Sequence, residues 1–555
     1  MQTPGSLVFF PLLWQTLPKN DPLHEIGPSP AACRRNIDAC GAGHSIATLG
    51  SLKYGKASGG GAFFLMRQTV STTRTPMTAP RLRKTKIIAT VGPASDAIET
   101  LERMIAAGMD VARLNLSFGT FADHLDRISR IRAAAERKGA NIAVMADTRG
   151  IEIRTGKVTG GAVTLTAGAR FTLYTDGRVG DIEGVSVSCR RLPQEVACGT
   201  PILLDDGAIE LEVESTGADS VRCKVIAGAT LRDHKGVNLP ATPLPRSVLD
   251  RHDRELLAGE IRFAAEADVD YIAASFVQNA GDVEAIREVL REHGTAIPII
   301  AKIENRAGLD NLDAIVQVAD GIMVARGDLG VELPLAEVPA TQKHMIHTTV
   351  MNGKPVITAT QMLASMEIHP RPTRAEASDV ANAILDGTSA IMLSGETAAG
   401  KFPVEAVRTM AELAFRAEAH LREYGYLQQK ILPHPSNVVT EAVSQASVAI
   451  ARQLAAAAIF SLTETGFTSR LVSKHRPDCP ILAITASPRV ARKLAMNWGV
   501  LPLLCAGEGT DEAKIAFAIV QAGSLGYVRA GDIVVATSGH AQRAGGTDLI
   551  RVITV

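Results

Sequence analysis

An α/β fold built on an eight-stranded parallel β/α (TIM) barrel is predicted by three features of the sequence. Eight short apolar runs are each followed by a helical pattern, six of the runs end in polar or charged residues, and one long interruption separates the third run from the fourth. The runs are TKIIATV (85–91), VARLNL (111–116), NIAVMAD (141–147), YIAASFV (271–277), PIIAKIE (298–304), GIMVARGD (321–328), PVITAT (355–360) and AIMLSGE (390–396). In the first connection, DAIETLERMIAAGM, Asp96 can cap a helix on which Ile98, Leu101 and Ile105 share a face. A doubly wound open sheet is the alternative, and a count of eight favours closure.

Successive runs start about 23–35 residues apart, except across the interruption, where the gap is about 130. The excess holds AVTLTAG, RFTLYT, VSVSC, LLDDGAIELEVEST and SVRCKVI, which alternate apolar and polar residues between Gly-rich turns, as in a small β-barrel. After about residue 430 the runs AIFSLT, PILAIT and DIVVATS alternate with helical stretches, which predicts a C-terminal α/β open-sheet domain. The first 80 residues carry seven Lys/Arg against three acids and no sustained period, and Met66 and Met77 are alternative starts. The expected layout is therefore an N-terminal extension over 1–80, disordered or absent from the mature protein, and the barrel over 81–150 and 241–425. A β-barrel lid occupies 151–240 and the C-terminal domain 426–555.

Lys+Arg and Asp+Glu balance at 58 each, which excludes nucleic-acid or membrane attraction by the chain as a whole. No apolar run reaches the length of a membrane span, and the stretch from Leu7 to Trp14 lacks the basic lead-in and cleavage site of a signal peptide. Seven cysteines without a CxxC pair fit a reduced, cytoplasmic setting.

Chemistry enters at the ends of the runs. Residues two apart on a strand project to one side, which groups Lys302 with Glu304, Arg326 with Asp328, Ser394 with Glu396, and Arg113 with Asn115 and Ser117. Asp147 and Thr360 close two further strands. Rim charges can simply solvate a barrel mouth, but six strands ending this way argue for a site. Glu304 and Asp328 are hard carboxylates suited to Mg²⁺ or Mn²⁺. At 4 Å two such groups repel by about 4 kcal/mol at an effective dielectric near 20, which a dication removes. Lys302, Arg113 and Arg154 supply positive charge for an anion, and Thr360 a hydroxyl for orientation or proton relay. The residues alone give metal-assisted chemistry on an anionic substrate, and a phosphate-binding aldolase or lyase would look similar.

Longer words narrow this. TKIIATVGPAS, GMDVARLNLS, DTRGIEIRTG, KGVNLP, AKIENRAGLDNL, MVARGDLGVELP, RPTRAEASDVANAILDG and IMLSGETAAGKFP, in this order, closely resemble the pyruvate kinase family from about residue 83 to the C-terminus. The resemblance implies transfer of a phosphoryl group from phosphoenolpyruvate to ADP, giving pyruvate and ATP, in a homotetramer that needs Mg²⁺ (or Mn²⁺) and K⁺. It implies Lys302 and Arg113 on the transferring phosphoryl group, Glu304 and Asp328 on the divalent metal, and Thr360 near the enolate carbon. Backbone around Ala325, Arg326 and Gly327 would lie near the substrate carboxylate. Asn115, Ser117, Asp147 and Thr148 would gather K⁺, with Asn115 also near the nucleotide, while Arg154 and Lys235 would face nucleotide phosphates. Another phosphoenolpyruvate- or pyruvate-using barrel enzyme, or an inactive sensor paralogue, are the alternatives, and the retained Lys302, Glu304, Asp328 and Thr360 speak against the latter.

The sequence departs from the family pattern at four positions. Phe118 stands where His is common, Arg149 where Lys is, Ile151 where Pro is and Ala241 where Gly is. Glu152 and Thr155 match the K⁺-requiring pattern. In the C-terminal domain, TETGFT resembles the loop that takes a regulatory phosphate, with Thr463, Thr465 and Thr468 as hydroxyl donors and Gly466 allowing close backbone approach. A phosphorylated allosteric effector is the expected partner there.

Overall fold

A computed structural model describes residues 82–150, 153–240, 254–425, 438–505, 509–539 and 546–555. The expectations for residues 1–80, Ile151, Glu152 and Ala241 lie outside the described residues. Eight parallel strands close into a barrel: β1 (Lys86–Thr90), β2 (Val111–Asn115), β3 (Ala143–Asp147), β4 (Tyr271–Ala274), β5 (Ile299–Ile303), β6 (Gly321–Ala325), β7 (Val356–Ala359) and β8 (Ala390–Leu393). Each strand pairs with its sequence neighbour in the barrel, and β8 returns to β1 through Lys86↔Ala390 to Ala89↔Leu393.

The strands are almost wholly apolar because both faces are covered. Ile87, Ala89, Ala112, Leu114, Val144 and Ile272 face the surrounding helices. Ile88, Val111, Met145, Ile300, Met323 and Ile357 form a separate cluster inside the barrel. The two sets alternate along each strand, so the period of two alone decides which residues enter the lumen. Ala495 and Met496 of the C-terminal domain belong to the interior cluster and form its floor. Lys86 donates from Nζ to the Val500 carbonyl at 2.8 Å, and the Tyr271 hydroxyl donates to the Lys493 carbonyl, on the same side.

The first connecting helix runs Ile98–Ala107 and buries Leu101 and Met104, with Ile98 and Ile105 packed beside them. Asp96 does not cap it. The N-cap is Ala97, without a side-chain bond, and the Asp96 carboxylate lies instead near Arg127 and Arg130 of the next helix. That next helix, Phe121–Lys138, starts with a capping box between Thr120 and Asp123.

The insertion is a seven-stranded, mostly antiparallel sheet with a two-stranded ribbon beside it, enclosing Phe171, Leu173, Leu211 and Val221. Its edge strands, Ile153–Arg154 and Gly184–Ser186, meet at a bridge between Thr155 and Val187, where the Ser188 N–H donates to the Arg154 carbonyl at 2.9 Å and the Gly156 N–H to the Ser186 carbonyl at 2.7 Å, so the sheet curls back on itself as the expected barrel requires. The C-terminal domain is a five-stranded sheet: β9 (Ala458–Leu462), β10 (Ile481–Thr485), β11 (Val500–Leu504), β12 (Ile533–Ser538) and β13 (Leu549–Thr554), in the order β11-β10-β9-β12-β13. Only β13 is antiparallel, and apolar clusters cover both faces.

Packing at the start of β6 is tight enough to test. A Cβ on Gly321 would stand 2.8 Å from the Pro355 carbonyl oxygen and 2.7 Å from Ile300 Cδ1, and the first of these is backbone held in the sheet. Gly259, in the helix Arg254–Glu266, has open space around it. Gly321→Ala is expected to lower unfolding free energy by about 1–3 kcal/mol, and Gly259→Ala to raise it by up to about 1 kcal/mol, in denaturant melts.

Candidate active site

The lumen-facing rows end in the polar residues that the sequence singled out. Arg113 and Asn115 continue the row of Val111, Asp147 that of Met145, and Lys302 that of Ile300, all at the C-terminal ends of their strands. Register sets Asn115 beside Asp147. Lys302 and Glu304 share a side, as the period of two requires.

Four charged groups then meet at the centre. Lys302 Nζ lies 3.0 Å from Asp147 Oδ1, 2.9 Å from Glu304 Oε1 and 2.7 Å from Ser275 Oγ. Arg113 donates from Nε to Asp147 Oδ2 at 2.6 Å and from a terminal nitrogen to Thr90 Oγ1 at 2.9 Å. Asp147 and Glu304 are each 1% exposed. Burial works to raise Asp147, but Arg113 and Lys302 outweigh it and hold its carboxyl below the usual range. Burial likewise opposes the Lys302 ammonium, yet Asp147 and Glu304 hold it above its ordinary value. Glu304 is pushed up to about 7 by burial; Lys302 pulls it down, and the neighbouring Asp328 charge adds to the rise. Its Oε2 accepts the Phe276 backbone N–H at 2.5 Å.

Asp328 is not on a strand. Residues Arg326–Glu332 form a short helix after β6, so Arg326 and Asp328 do not share a side, and Glu396 likewise sits in the short helix Gly395–Ala398. A same-side rule for strands fails once the strand has ended. The Arg326 guanidinium is turned away into the protein: it donates to Asp379 Oδ2 and the Thr360 carbonyl at 2.6 Å each, and to the Ala359 carbonyl at 3.1 Å. Glu396 accepts the Leu363 and Ser394 N–H groups and so fixes loops. Thr360 is held with φ of 63°, unusual for a β-branched residue, and its Oγ1 accepts the Gly327 N–H at 2.7 Å.

Asn115 Oδ1 accepts the Ser117 N–H at 3.1 Å, and Ser275 donates from Oγ to the Thr148 carbonyl at 2.7 Å, which brings the four expected K⁺ residues to neighbouring strand ends. Arg154 and Lys235 line a cleft of about 230 Å³ between the inserted sheet and the barrel mouth, together with Phe276, Asn305, Asp328 and Glu332. Lys235 pairs with Asp205 at 2.8 Å there, and Arg154 donates to the His234 carbonyl at 2.9 Å. In the C-terminal domain, Thr463 Oγ1 accepts the Gly466 N–H, Thr468 bonds the Thr547 hydroxyl, and Thr465 is exposed.

Sequence reasoning missed Ser275, Phe276, Glu260 and Glu332. Ser275 carried the same signal as the others, a polar residue just past an apolar strand. Phe276, at φ of 54°, packs its ring where a Cβ on Gly150 would collide. Glu260 is pushed up to about 7 by burial against the opposing pull of Arg149, which it meets at 3.0 Å. Glu332 reaches about 7 through burial, against a hydrogen bond from Asn238.

Two family profiles match the chain, one described as "Pyruvate kinase, barrel domain" over residues 82–407 and one as "Pyruvate kinase, alpha/beta domain" over 441–553. A pyruvate kinase of Bacillus licheniformis is 46% identical over 477 residues, covering 85% of this chain and 81% of the relative. One of Clostridium acetobutylicum is 43% identical over 468 residues, covering 84% and 98%. The crystal structure of a pyruvate kinase from Cryptosporidium parvum superposes with a TM-score of 0.79 at 40% identity, over 85% of this chain and 96% of that one.

Lys302→Met leaves the Asp147 and Glu304 carboxylates buried without their shared cation, and is expected to cost about 3–5 kcal/mol of unfolding free energy near pH 8. Glu304 binds a proton more tightly folded than unfolded, so its burial weakens the fold as pH rises from 4.5 towards about 7 and spares it below that window. The loss on Lys302→Met should therefore be smaller near pH 5.5, as denaturant melts at the two pH values would register.

Proposed function

The chain belongs to the pyruvate kinase family, and we propose from that premise how its residues move a phosphoryl group from phosphoenolpyruvate to ADP. The products are pyruvate and ATP, in the last step of glycolysis. The observation that carries the assignment of roles is the Lys302 ammonium, fixed between Asp147 and Glu304 at the barrel mouth with Arg113 beside it.

Because its neighbours hold Lys302 protonated, it acts as a fixed positive charge and not as a base. Lys302 and Arg113 bind the transferring phosphoryl group, and the backbone from Ala325 to Gly327 receives the substrate carboxylate at the start of its short helix. A terminal phosphate oxygen of ADP attacks phosphorus, the bridging C–O oxygen leaves with its electron pair, and the enolate so formed takes a proton at its methylene carbon to give pyruvate. Thr360, strained and placed against Gly327, belongs to the relay that delivers that proton. Arg154 and Lys235 in the cleft, with Asn115, face the nucleotide phosphates as the inserted sheet covers the mouth and excludes water.

Glu304 and Asp328 fit a divalent cation. Both are hard oxygen donors, and Glu304 is raised by burial and by Asp328, a cost that a bound dication offsets. Among the described residues no group of three or more acidic, His or Cys side chains gathers, so substrate and water would complete the shell. Mg²⁺ or Mn²⁺ held by Glu304 and Asp328 would supply positive charge to offset that developing on the enolate and phosphoryl oxygens. Asn115, Ser117, Asp147 and Thr148 would hold K⁺. Thr463, Thr465, Gly466 and Thr468 would take the phosphate of an allosteric effector, in a cytoplasmic homotetramer. Among the described residues no helix is long and apolar enough to cross a membrane.

A coupled assay with phosphoenolpyruvate, ADP, Mg²⁺ and K⁺ tests the reading: pyruvate should form only with ADP present. Glu304→Gln or Asp328→Asn should lower turnover by about two orders of magnitude or more while the fold survives, and near-normal turnover would place the metal elsewhere. Strong activation by K⁺ is expected, with Glu152→Lys weakening the dependence at some cost in rate. Equal rates in K⁺-free buffer and in about 100 mM K⁺, against a bulky organic cation as the screening control, would remove the K⁺ site.

A further inference from the structure

At the N-terminal ends of β4 to β7, opposite the catalytic mouth, a cavity of about 240 Å³ opens between the barrel and the C-terminal domain. Arg287 and Asp320 line it from the barrel, and Thr465, Arg470, Lys493 and Asn497 from the C-terminal domain. Three cations thus face one carboxylate, and that carboxylate is already engaged: Asp320 Oδ2 accepts Arg287 at 3.2 Å and the Ile299 N–H at 3.0 Å.

Among the described residues the other two cations form no ion pair, and the nearby Asp270, which also acts on Lys493, is already paired with Arg132 and Arg492. Arg470 Nε is buried without a hydrogen-bond partner, and among the described residues its guanidinium makes no ion pair, only a stacking contact with the Phe467 ring at 5.6 Å. Among the described residues, Lys493 Nζ reaches only the Ala296 carbonyl, at 3.4 Å. Behind the wall, Lys354 is spent on the carbonyls of Val316, Gln317 and Ala319. Burial pulls Lys354 down to about 8; Asp320 opposes this, and Arg470 and Arg287 add to it, as expected of a pocket with surplus positive charge. A half-buried guanidinium and ammonium without ion-pair partners favour an anion that enters beside them.

We propose that this cavity is a binding site for a phosphate monoester dianion, held by Arg470 and Lys493 from one domain and Arg287 from the other. Two negative charges match the unbalanced pair, the guanidinium fork suits phosphate oxygens, and the space exceeds a bare phosphate, leaving room for a small hydroxylated group near Thr465 and Asn497. The site adjoins the effector phosphate site proposed at Thr463, Thr465, Gly466 and Thr468 and shares Thr465 and Gly466 with it, while the Thr463 and Thr468 hydroxyls bond within the C-terminal domain. Thr465 and Gly466 form its wall, so a ligand here bears on the back of that loop.

The test titrates the full chain with inorganic phosphate and with glycerol 3-phosphate by calorimetry, and follows thermal melting in parallel. With the effector phosphate site disabled by Thr463→Ala and Thr468→Ala, one binding event for either probe should remain, and it should weaken at least tenfold when Arg470→Gln and Lys493→Gln are added. Tighter binding of glycerol 3-phosphate identifies an ester, and tighter binding of inorganic phosphate the free ion, either through this same pocket. In the same Thr463→Ala and Thr468→Ala background, Arg470→Glu supplies the missing negative charge itself, so it should melt higher than its parent without phosphate and gain nothing from added phosphate. Undiminished binding once Arg470→Gln and Lys493→Gln are added, no binding event left in the Thr463/Thr468 variant, or a phosphate-dependent melting gain retained by Arg470→Glu would overturn the proposal.

Discussion

Lys302 carries its charge in a place where water scarcely reaches, and much of the barrel mouth is arranged around that fact. A buried ammonium requires acids, and Asp147 and Glu304 provide them. Those acids are themselves 1% exposed, so each needs further partners: Arg113 for Asp147, and the Phe276 N–H for Glu304. Arg113 in turn draws on Thr90, and Ser275 ties Lys302 to the Thr148 carbonyl. Satisfying one charge thus spreads across the ends of β1 to β5. The same chain of obligations leaves Glu304 poorly served, raised to about 7 by burial that its partners do not fully offset.

The barrel was legible in the sequence because its strands obey one short-range rule. Alternation of lumen and helix faces follows from residue spacing, and it correctly put Arg113, Asp147 and Lys302 on one surface. Legibility ended where the strands end. Past β6 and β8 the chain turns into short helices, so the pairing of Arg326 with Asp328 and of Ser394 with Glu396 on one side did not hold. Asp96 illustrates a second limit: cap choice depends on where the preceding loop runs, and Arg127 and Arg130 compete for its carboxylate. Glu260 and Glu332 were invisible because burial, which perturbs them, is a property of the folded neighbourhood and not of the residue type.

Motif words carried what periodicity could not. Arg326 would rank by charge alone as a substrate ligand, yet its guanidinium stitches the exits of β6 and β7 to Asp379, and what remains for chemistry there is backbone. Thr360 shows the converse. Nothing in its composition announces a left-handed backbone, which costs on the order of 1–3 kcal/mol and persists because the Gly327 N–H and the Arg326 guanidinium hold it in place.

The floor of the barrel has a bearing on inheritance. Ala495 and Met496 complete the interior packing from outside the barrel sequence, and Val500 accepts the otherwise buried Lys86 ammonium. An excised barrel would open the apolar interior around Met145, Ile300 and Met323 onto solvent at its base, so the C-terminal domain is no detachable cassette. Recombination between relatives that exchanged it would have to carry the 493–500 segment and its barrel partners as one block. Because both acceptors are backbone carbonyls, what such an exchange must preserve is the path of the 493–500 backbone beneath Lys86 and Tyr271, whatever side chains it carries there.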